Sequence, residues 1–461
     1  MKQTQIPKSL PTIFVVATTK IVGRGVRVVE IFTDSMRYWH CLWVIQFSDA
    51  PYRFFEAKPS PFLIRCGRAM NRSFFLPGPN HRIREMVLEG EMEQVREAQA
   101  KGERLMFVIN HPTHSDPQVV TEVHRRLGVD SCFMAAYDVF LRSPVNAWVM
   151  QRMGNFSIDR EGSDRKAMAA AIDVLKKGGR ALNIFPEGNV YLTNDRVAPF
   201  LDGAAFIAIK AQAALDGVSV KIVPISLKYT HLTTPRAEVT QRMLDLGARS
   251  EYVFPAGSTS DPISAVMGMG RHIIARYLRA HGHGDALKID DTSLYEVLGE
   301  FAGKLMDDLE GALELSAARA AGLSERIVKI RSRLHQLRTD RSAAPDPALD
   351  GMAERAILAM RIHGYLSPYL TELPSIDRYD ETVERIAEDF HSKSMPRTGP
   401  RRVMVRVHPP IEVSDFISAA GGNTREAISK ITWEMHRTIQ AGIDAMNESN
   451  DAPGAEIVRR S

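Results

Sequence analysis

Leu105-Met106-Phe107-Val108-Ile109-Asn110-His111-Pro112-Thr113-His114-Ser115-Asp116 is the stretch on which the fold turns. Five consecutive apolar residues without alternation or charge suit a strand buried on both faces, as in a parallel sheet between helical layers. The run stops at Asn110-His111-Pro112, and residues 116–127 then place their apolar side chains at helical spacing. A strand passing through a polar loop into a helix is the elementary step of an α/β layer fold. The loop at the strand's carboxyl end is where such sheets place ligand sites.

Downstream the alternation continues. Residues 131–136, 155–159, 181–185 and 220–229 read as strands, and 143–153, 164–177 and 200–215 as helices. Upstream, 83–100 has helical spacing, many charges and a stop at Lys101-Gly102. After Thr233 the strand signal disappears, and 271–281, 293–321, 325–338, 352–363 and 380–391 read as helices, with 341–347 an exposed linker. Residues 402–407 alternate apolar and basic side chains as a late strand, and 423–446 form a last helix with a capping residue. A separate C-terminal domain would leave that strand without a partner.

The expected class is therefore α/β: a mostly parallel sheet flanked by helices, with a large helical insertion. The expected organisation is a basic, aromatic N-terminal segment (1–84), an α/β core (85–233), a helical insertion (234–398), the final strand and helix of the core (399–446) and a disordered tail (447–461).

Composition narrows the partners. Hydrophobic residues at 44% and charged residues at 25% are those of a chain that buries an ordinary core. A net charge of +4 is too small to argue for nucleic acid, and none is expected. Cys41, Cys66 and Cys132 lie far apart without metal-ligand spacing, which fits a reducing compartment. No run approaches the roughly 18 uncharged apolar residues that span a bilayer, the best being 9–19 and 38–48. With no signal peptide legible either, the expected location is cytoplasmic.

The charge is uneven: residues 1–84 hold 13 Lys/Arg against 4 Asp/Glu, together with 12 aromatics that include Tyr38, Trp39, Trp43 and Phe47. Basic and amphipathic aromatic side chains together suit a membrane surface, so peripheral attachment at the inner face of the membrane is expected. A solvated basic face over an ordinary aromatic core is the other reading of the same stretch.

Four blocks at predicted strand ends carry chemistry. In the first, a carboxylate at Asp116 can accept from one ring nitrogen of His111, fix its tautomer and raise the basicity of the other, which is the base-plus-orienter half of a catalytic triad. With no Ser or Cys nucleophile in the block, such a base acts on an acceptor's own hydroxyl. The second, Gly154-Asn155-Phe156-Ser157-Ile158-Asp159-Arg160, ends on an arginine able to fork a phosphate or to bridge a neighbouring acid. The third, Ile184-Phe185-Pro186-Glu187-Gly188-Asn189, brings Glu187 out at the same edge as His111, with a glycine that permits close backbone approach or a plain turn. The fourth, Ile222-Val223-Pro224-Ile225-Ser226, sets a proline inside a strand, the mark of an edge or of a place where a ligand packs.

In this order the blocks resemble the glycerolipid acyltransferase family, which includes glycerol-3-phosphate and lysophosphatidate acyltransferases. His111 and Asp116 match its HX4D motif, 156–160 is similar to its second motif, Phe185-Pro186-Glu187-Gly188 matches the core of its third, and Val223-Pro224-Ile225 looks like its fourth. Val407-His408-Pro409-Pro410-Ile411 resembles the domain's closing strand. The resemblance covers 85–230 and 400–446. It implies that His111, oriented by Asp116, deprotonates a lipid hydroxyl that attacks an acyl thioester of coenzyme A or acyl carrier protein. Arg160, Glu187, Gly188 and Asn189 would then bind the acceptor, and neither cofactor nor metal is required. One departure stands out: the family's third motif usually continues Thr-Arg, whereas this chain continues Asn189-Val190. Arg165, Lys166 and Lys228 are the candidates to supply the missing cation.

Two other classes compete. His111, His114 and Asp116 form a compact cluster of zinc-ligand types, a hydrolase reading weakened by the spacing H-x-x-H-x-D and by Pro117. A non-catalytic, membrane-associated scaffold on the same fold is the second.

Overall fold

The structure, a computed structural model, describes residues 52–160, 164–280, 294–316, 323–340, 346–365 and 367–458. Its strands are β1 (Ile83–Gly90), β2 (Arg104–Ile109), β3 (Ser131–Ala136), β4 (Phe156–Ile158), β5 (Ala181–Ile184), β6 (Val220–His231), β7 (Arg401–Val407) and β8 (Ile411–Glu412). They join one sheet in the order β1-β7-β6-β2-β5-β3-β4, with β8 also against β6. From β6 to β4 every pair is parallel. The β6–β7 and β6–β8 pairs are antiparallel, and β1 runs parallel to β7.

The missing alternation in β2 has a simple cause. Met106 and Val108 join a cluster with the helices Arg165–Lys177, Gly203–Gln212 and Thr424–Glu448, whereas Leu105, Phe107 and Ile109 join another with Met92–Ala100 and Asp116–Leu127. Both faces of the sheet are covered, so all five residues of the strand after Arg104 are apolar. This is the α/β architecture expected, with a helical region between β6 and β7.

Four expectations are corrected. Residues 83–90 form a strand, and only Met92–Ala100 is helical. Glu85 and Glu89 sit four apart, a spacing that shares one face of a helix and one face of a strand alike. Here they pair across the ladder with Arg402 (2.8 Å) and Arg406 (2.7 Å), their register partners on β7. Pro224 is not at an edge: β6 lies inside the sheet, and Pro224 falls where its neighbour changes from β8 to β7, accepting from His408 N at 3.0 Å. The helix expected over 293–321 is Leu294–Ala312, closed by Glu314 at φ +54°. Residues 449–458 are not a disordered tail: Val458 N donates to Pro374 O (2.7 Å) and Ile376 N to Glu456 O (2.9 Å), with a bridge between Ser375 and Ile457.

The helices of the insertion are Arg236–Arg249, Pro262–Ala280, Leu294–Ala312, Leu323–Asp340, Pro347–His363, Tyr369–Glu372 and Ile376–His391. They form two apolar clusters, one around Met306, Ile330 and Met360, the other around Met243, Met269 and Tyr379. Helix Ile376–His391 is fastened to the sheet by buried charge. His231, the last residue of β6, meets Asp377 (2.7 Å) and Asp380 (3.3 Å), while Asp195 bridges Lys228 of β6 and Arg378. The aromatic group at 38–47, residues 341–345 of the expected linker and residues 459–461 lie outside the described residues. Among the described residues no helix is long and apolar enough to cross a membrane.

Candidate active site

β2 ends at Ile109, but its ladder with β6 continues through a side chain. Asn110 donates Nδ2 to Leu227 O (2.9 Å) and accepts from Leu227 N (2.7 Å). That rigid end launches the His111 loop. His111 Nδ1 lies 2.6 Å from Asp116 Oδ2, and the imidazole stacks on Phe185 with ring centroids 4.1 Å apart. The side chain keeps 16% exposure. Among the described residues its Nε2 makes no hydrogen bond.

Asp116 is fully buried at the start of its helix and surrounded by donors. Oδ2 also accepts from Thr113 N (3.0 Å), while Oδ1 accepts from Tyr229 Oη (2.6 Å) and Thr113 Oγ1 (3.3 Å). Burial, then the charge of Asp116, pushes the Tyr229 hydroxyl well above its usual range, so it stays protonated and donating. In the tautomer with the proton on Nδ1, this carboxylate accepts it and Nε2 keeps its lone pair.

Glu187 reaches the same corner, but both of its oxygens face the backbone: Oε1 accepts from His111 N (2.6 Å) and Oε2 from Ala198 N (3.0 Å). In this structure it clamps the His111 loop to the segment around Ala198. Burial pushes its carboxyl up to about 8 against the pull of those two amides, with Asp116 adding to the rise. Gly188 follows at φ +74°, a conformation that favours glycine, and its carbonyl accepts from Arg160 Nη1 at 3.0 Å. Arg160 also donates to Asn189 Oδ1 (2.9 Å) and Asp138 Oδ1 (3.0 Å). The six residues singled out in the sequence thus gather beyond the carboxyl ends of β2, β5 and β4: His111 with Asp116 and Glu187, and Arg160 with Gly188 and Asn189.

The candidates for a replacement cation divide. Lys228 is buried in its ion pair with Asp195. Arg165 and Lys166 line a cleft of about 1170 Å³ beside helix Leu323–Asp340, with Tyr52, Arg53 and Asp164, and neither Gly188 nor Asn189 lines it. The zinc cluster is pulled apart, because His114 Nε2 turns to Glu388 of the insertion at 3.0 Å. Among the described residues no three His, Cys, Asp or Glu side chains come together as a metal site. Sequence reasoning missed Tyr229, Asp138 and Glu388, and it gave Phe185 no role beyond its place in the third block. Of these, Tyr229 had a legible signal, closing the strand read over 220–229.

Part of the chain is similar to known proteins. Residues 90–228 match the family described as Acyltransferase. A 1-acyl-sn-glycerol-3-phosphate acyltransferase of Streptococcus pneumoniae is 32% identical over 114 residues, covering 25% of this chain and 38% of that protein. A glycerol-3-phosphate acyltransferase of Alteromonas mediterranea is 27% identical over 158 residues, covering 33% of this chain and 19% of that protein. The chain therefore spans well under half the length of either relative. Residues 90–228 carry every one of the six site residues, and over this part the chain is similar to the Acyltransferase family and to these two glycerolipid acyltransferases.

Proposed function

We propose that this protein transfers a fatty acyl group from an acyl thioester, of coenzyme A or acyl carrier protein, to a hydroxyl of a glycerolipid-type acceptor. The observation that carries the reading is the 2.6 Å contact of His111 Nδ1 with the buried Asp116, which leaves Nε2 without a hydrogen-bond partner among the described residues. In the proposed step Nε2 takes the acceptor's hydroxyl proton as the oxygen attacks the thioester carbonyl. The tetrahedral intermediate then collapses, the carbon–sulfur bond breaks, and the thiolate takes the proton back from the imidazolium. The ester forms directly and no acyl-enzyme intervenes. Arg160, Gly188 and Asn189 form the acceptor side, and Glu187 holds the His111 loop beside it. The names of both relatives, each an acyltransferase acting on a glycerol-3-phosphate compound, favour a phosphorylated acceptor.

Peripheral attachment to the inner face of the membrane is part of the proposal. Helix Pro61–Met70 and the turn Asn71–Phe75 expose Phe62, Met70 and Phe74 beside the exposed Arg65 and Arg72, a combination suited to an anionic lipid surface.

Thiol release from palmitoyl-CoA across a panel of acceptors tests the reaction. His111→Ala is expected to lower acceptor-dependent release by roughly 10²–10⁴-fold. Release that survives the substitution would end the general-base assignment. If no acceptor elicits release, palmitoyl-acyl carrier protein replaces the donor in the same assay, and silence there would overturn the transfer itself.

A further inference from the structure

The acceptor corner is built from two parts of the chain that lie far apart in sequence. Arg160, at the end of β4, holds Asn189 Oδ1. Asn189 Nδ2 lies 3.7 Å from Met360 Sδ, on helix Pro347–His363 of the insertion. The same sulfur is met at 2.9 Å by Nη1 of Arg331, from helix Leu323–Asp340. Asn189 and Met360 thus connect two guanidinium groups, one from the core and one from the insertion. Arg331 is only 6% exposed.

Electrostatics describe the same corner. Burial, then the nearby Arg160 guanidinium, pushes Arg331 down to about 9, and the carboxylates of Asp138 and Asp159 offset this only in part. Asp159 is itself engaged by His335 at 3.1 Å. Two cations near each other, Arg331 buried and Arg160 partly exposed, destabilise each other, and an anion between them relieves that repulsion. A thioether is a weak acceptor, so the contact of Arg331 with Met360 yields readily to an oxyanion. The corner is also tied to the base, since Gly188, which Arg160 grips, follows directly on Glu187, which holds His111 N.

We infer that Arg331 of the helical insertion joins Arg160 around Asn189 to bind the phosphomonoester of the acceptor. The insertion is then a wall of the acceptor site, and its arginine confers selectivity for phosphorylated acceptors. The inference rests on the acceptor reading above and deepens it. In this view the arginine absent after Gly188 is supplied in space from more than a hundred residues downstream.

The test compares wild type, Arg331→Gln and Arg331→Lys with palmitoyl-CoA as donor. The acceptors are sn-glycerol-3-phosphate and lysophosphatidate, each against its phosphate-free counterpart, glycerol or monoacylglycerol. Arg331→Gln is expected to raise the KM of the phosphorylated acceptor by about tenfold or more, with kcat little changed and any turnover of the phosphate-free acceptor unaffected. Arg331→Lys should recover part of the loss. The soluble and lipid arms tell which headgroup carrier is used. Equal losses on both kinds of acceptor, or a KM change confined to palmitoyl-CoA, would overturn the inference. Equilibrium binding of the same phosphorylated acceptor separates this idea from the reaction proposed above. His111→Ala should still bind it and Arg331→Gln should not, whatever the turnover assay returns. Undiminished binding to Arg331→Gln, or none to wild type, would refute the role of Arg331.

Discussion

Tyr229 donates its phenolic hydrogen to Asp116 Oδ1 across 2.6 Å, so the carboxylate that orients His111 is itself held from the neighbouring strand. Tyr229→Phe keeps the ring in the core and deletes only that donor. A hydrogen bond to a buried charge is worth about 1.5–3 kcal/mol, and the substitution should destabilise the protein by that order in urea denaturation. The rate should fall through kcat, by about tenfold, with acceptor KM unchanged. An unaltered kcat would show that Thr113 alone suffices to position Asp116.

The junction of β6 with the insertion should be sensitive to alkaline pH. His231 is fully buried, which opposes its charge, yet its hydrogen bonds to Asp377 and Asp380 outweigh burial and push it up to about 9. Because the folded value lies above the unfolded one, the stabilisation is complete below about pH 6.5 and is lost as pH rises through 9. A shift of this size corresponds to on the order of 3 kcal/mol. The wild-type urea midpoint should therefore decline between pH 7 and pH 10 more steeply than that of His231→Gln. Parallel declines would remove His231 as the titrating group.

Gly442 offers a contest between propensity and packing. Alanine is favoured over glycine inside a helix by about 1 kcal/mol. A Cβ at this position, however, would fall 2.4 Å from Ser226 Oγ and 2.6 Å from His408 Nε2. Neither atom is free to retreat, because Ser226 Oγ is bonded to His408 Nε2 (2.7 Å) and to Ile439 O (2.8 Å). Overpacking of about 1–3 kcal/mol should win, and Gly442→Ala should lower the urea midpoint. A raised midpoint would mean that helix Thr424–Glu448 shifts freely on β6.

Phe62 and Phe74 are 73% and 63% exposed, and insertion into lipid would take that apolar surface out of water. Replacing both with serine should weaken binding to vesicles containing anionic lipid by at least about tenfold, read by co-sedimentation. Added salt should remove a further part through Arg65 and Arg72. Unchanged sedimentation would exclude this surface from the membrane contact.

Much of the core was legible because local and long-range demands agree there. The run at 105–109 is apolar because both faces of its strand are covered, and a strand that ends so abruptly also marks the site. His111 and Asp116 were readable as a pair because both lie on one short loop. The strand over 83–90 was misread because glutamates four apart satisfy helix and strand alike, and only Arg402 and Arg406, more than three hundred residues away, decide between them. Arg331 left no local trace. Its helix carries basic residues on several faces, and nothing in its own neighbourhood announces Asn189. The tail misled for a related reason: the loop before Ile376 that orders it belongs to another part of the chain.

Among the described residues β1 pairs only with β7, and β7 separates it from the rest of the sheet. During synthesis β1 leaves the ribosome early and waits for its partner until the whole insertion has been made. Throughout that interval Met86 and Leu88 lack their partners Val403 and Val405, and residues 225–231 of β6 lack theirs on β7. The order of translation is thus the reverse of what closing the sheet would favour. If His231 meets Asp377 before Arg401 is translated, the insertion brings the chain's return point to the end of β6 and shortens the search that β7 must make. A helical region placed there acts on the nascent chain as a built-in guide for the last strand, and shortening it should cost yield of soluble protein before it costs stability of what has folded.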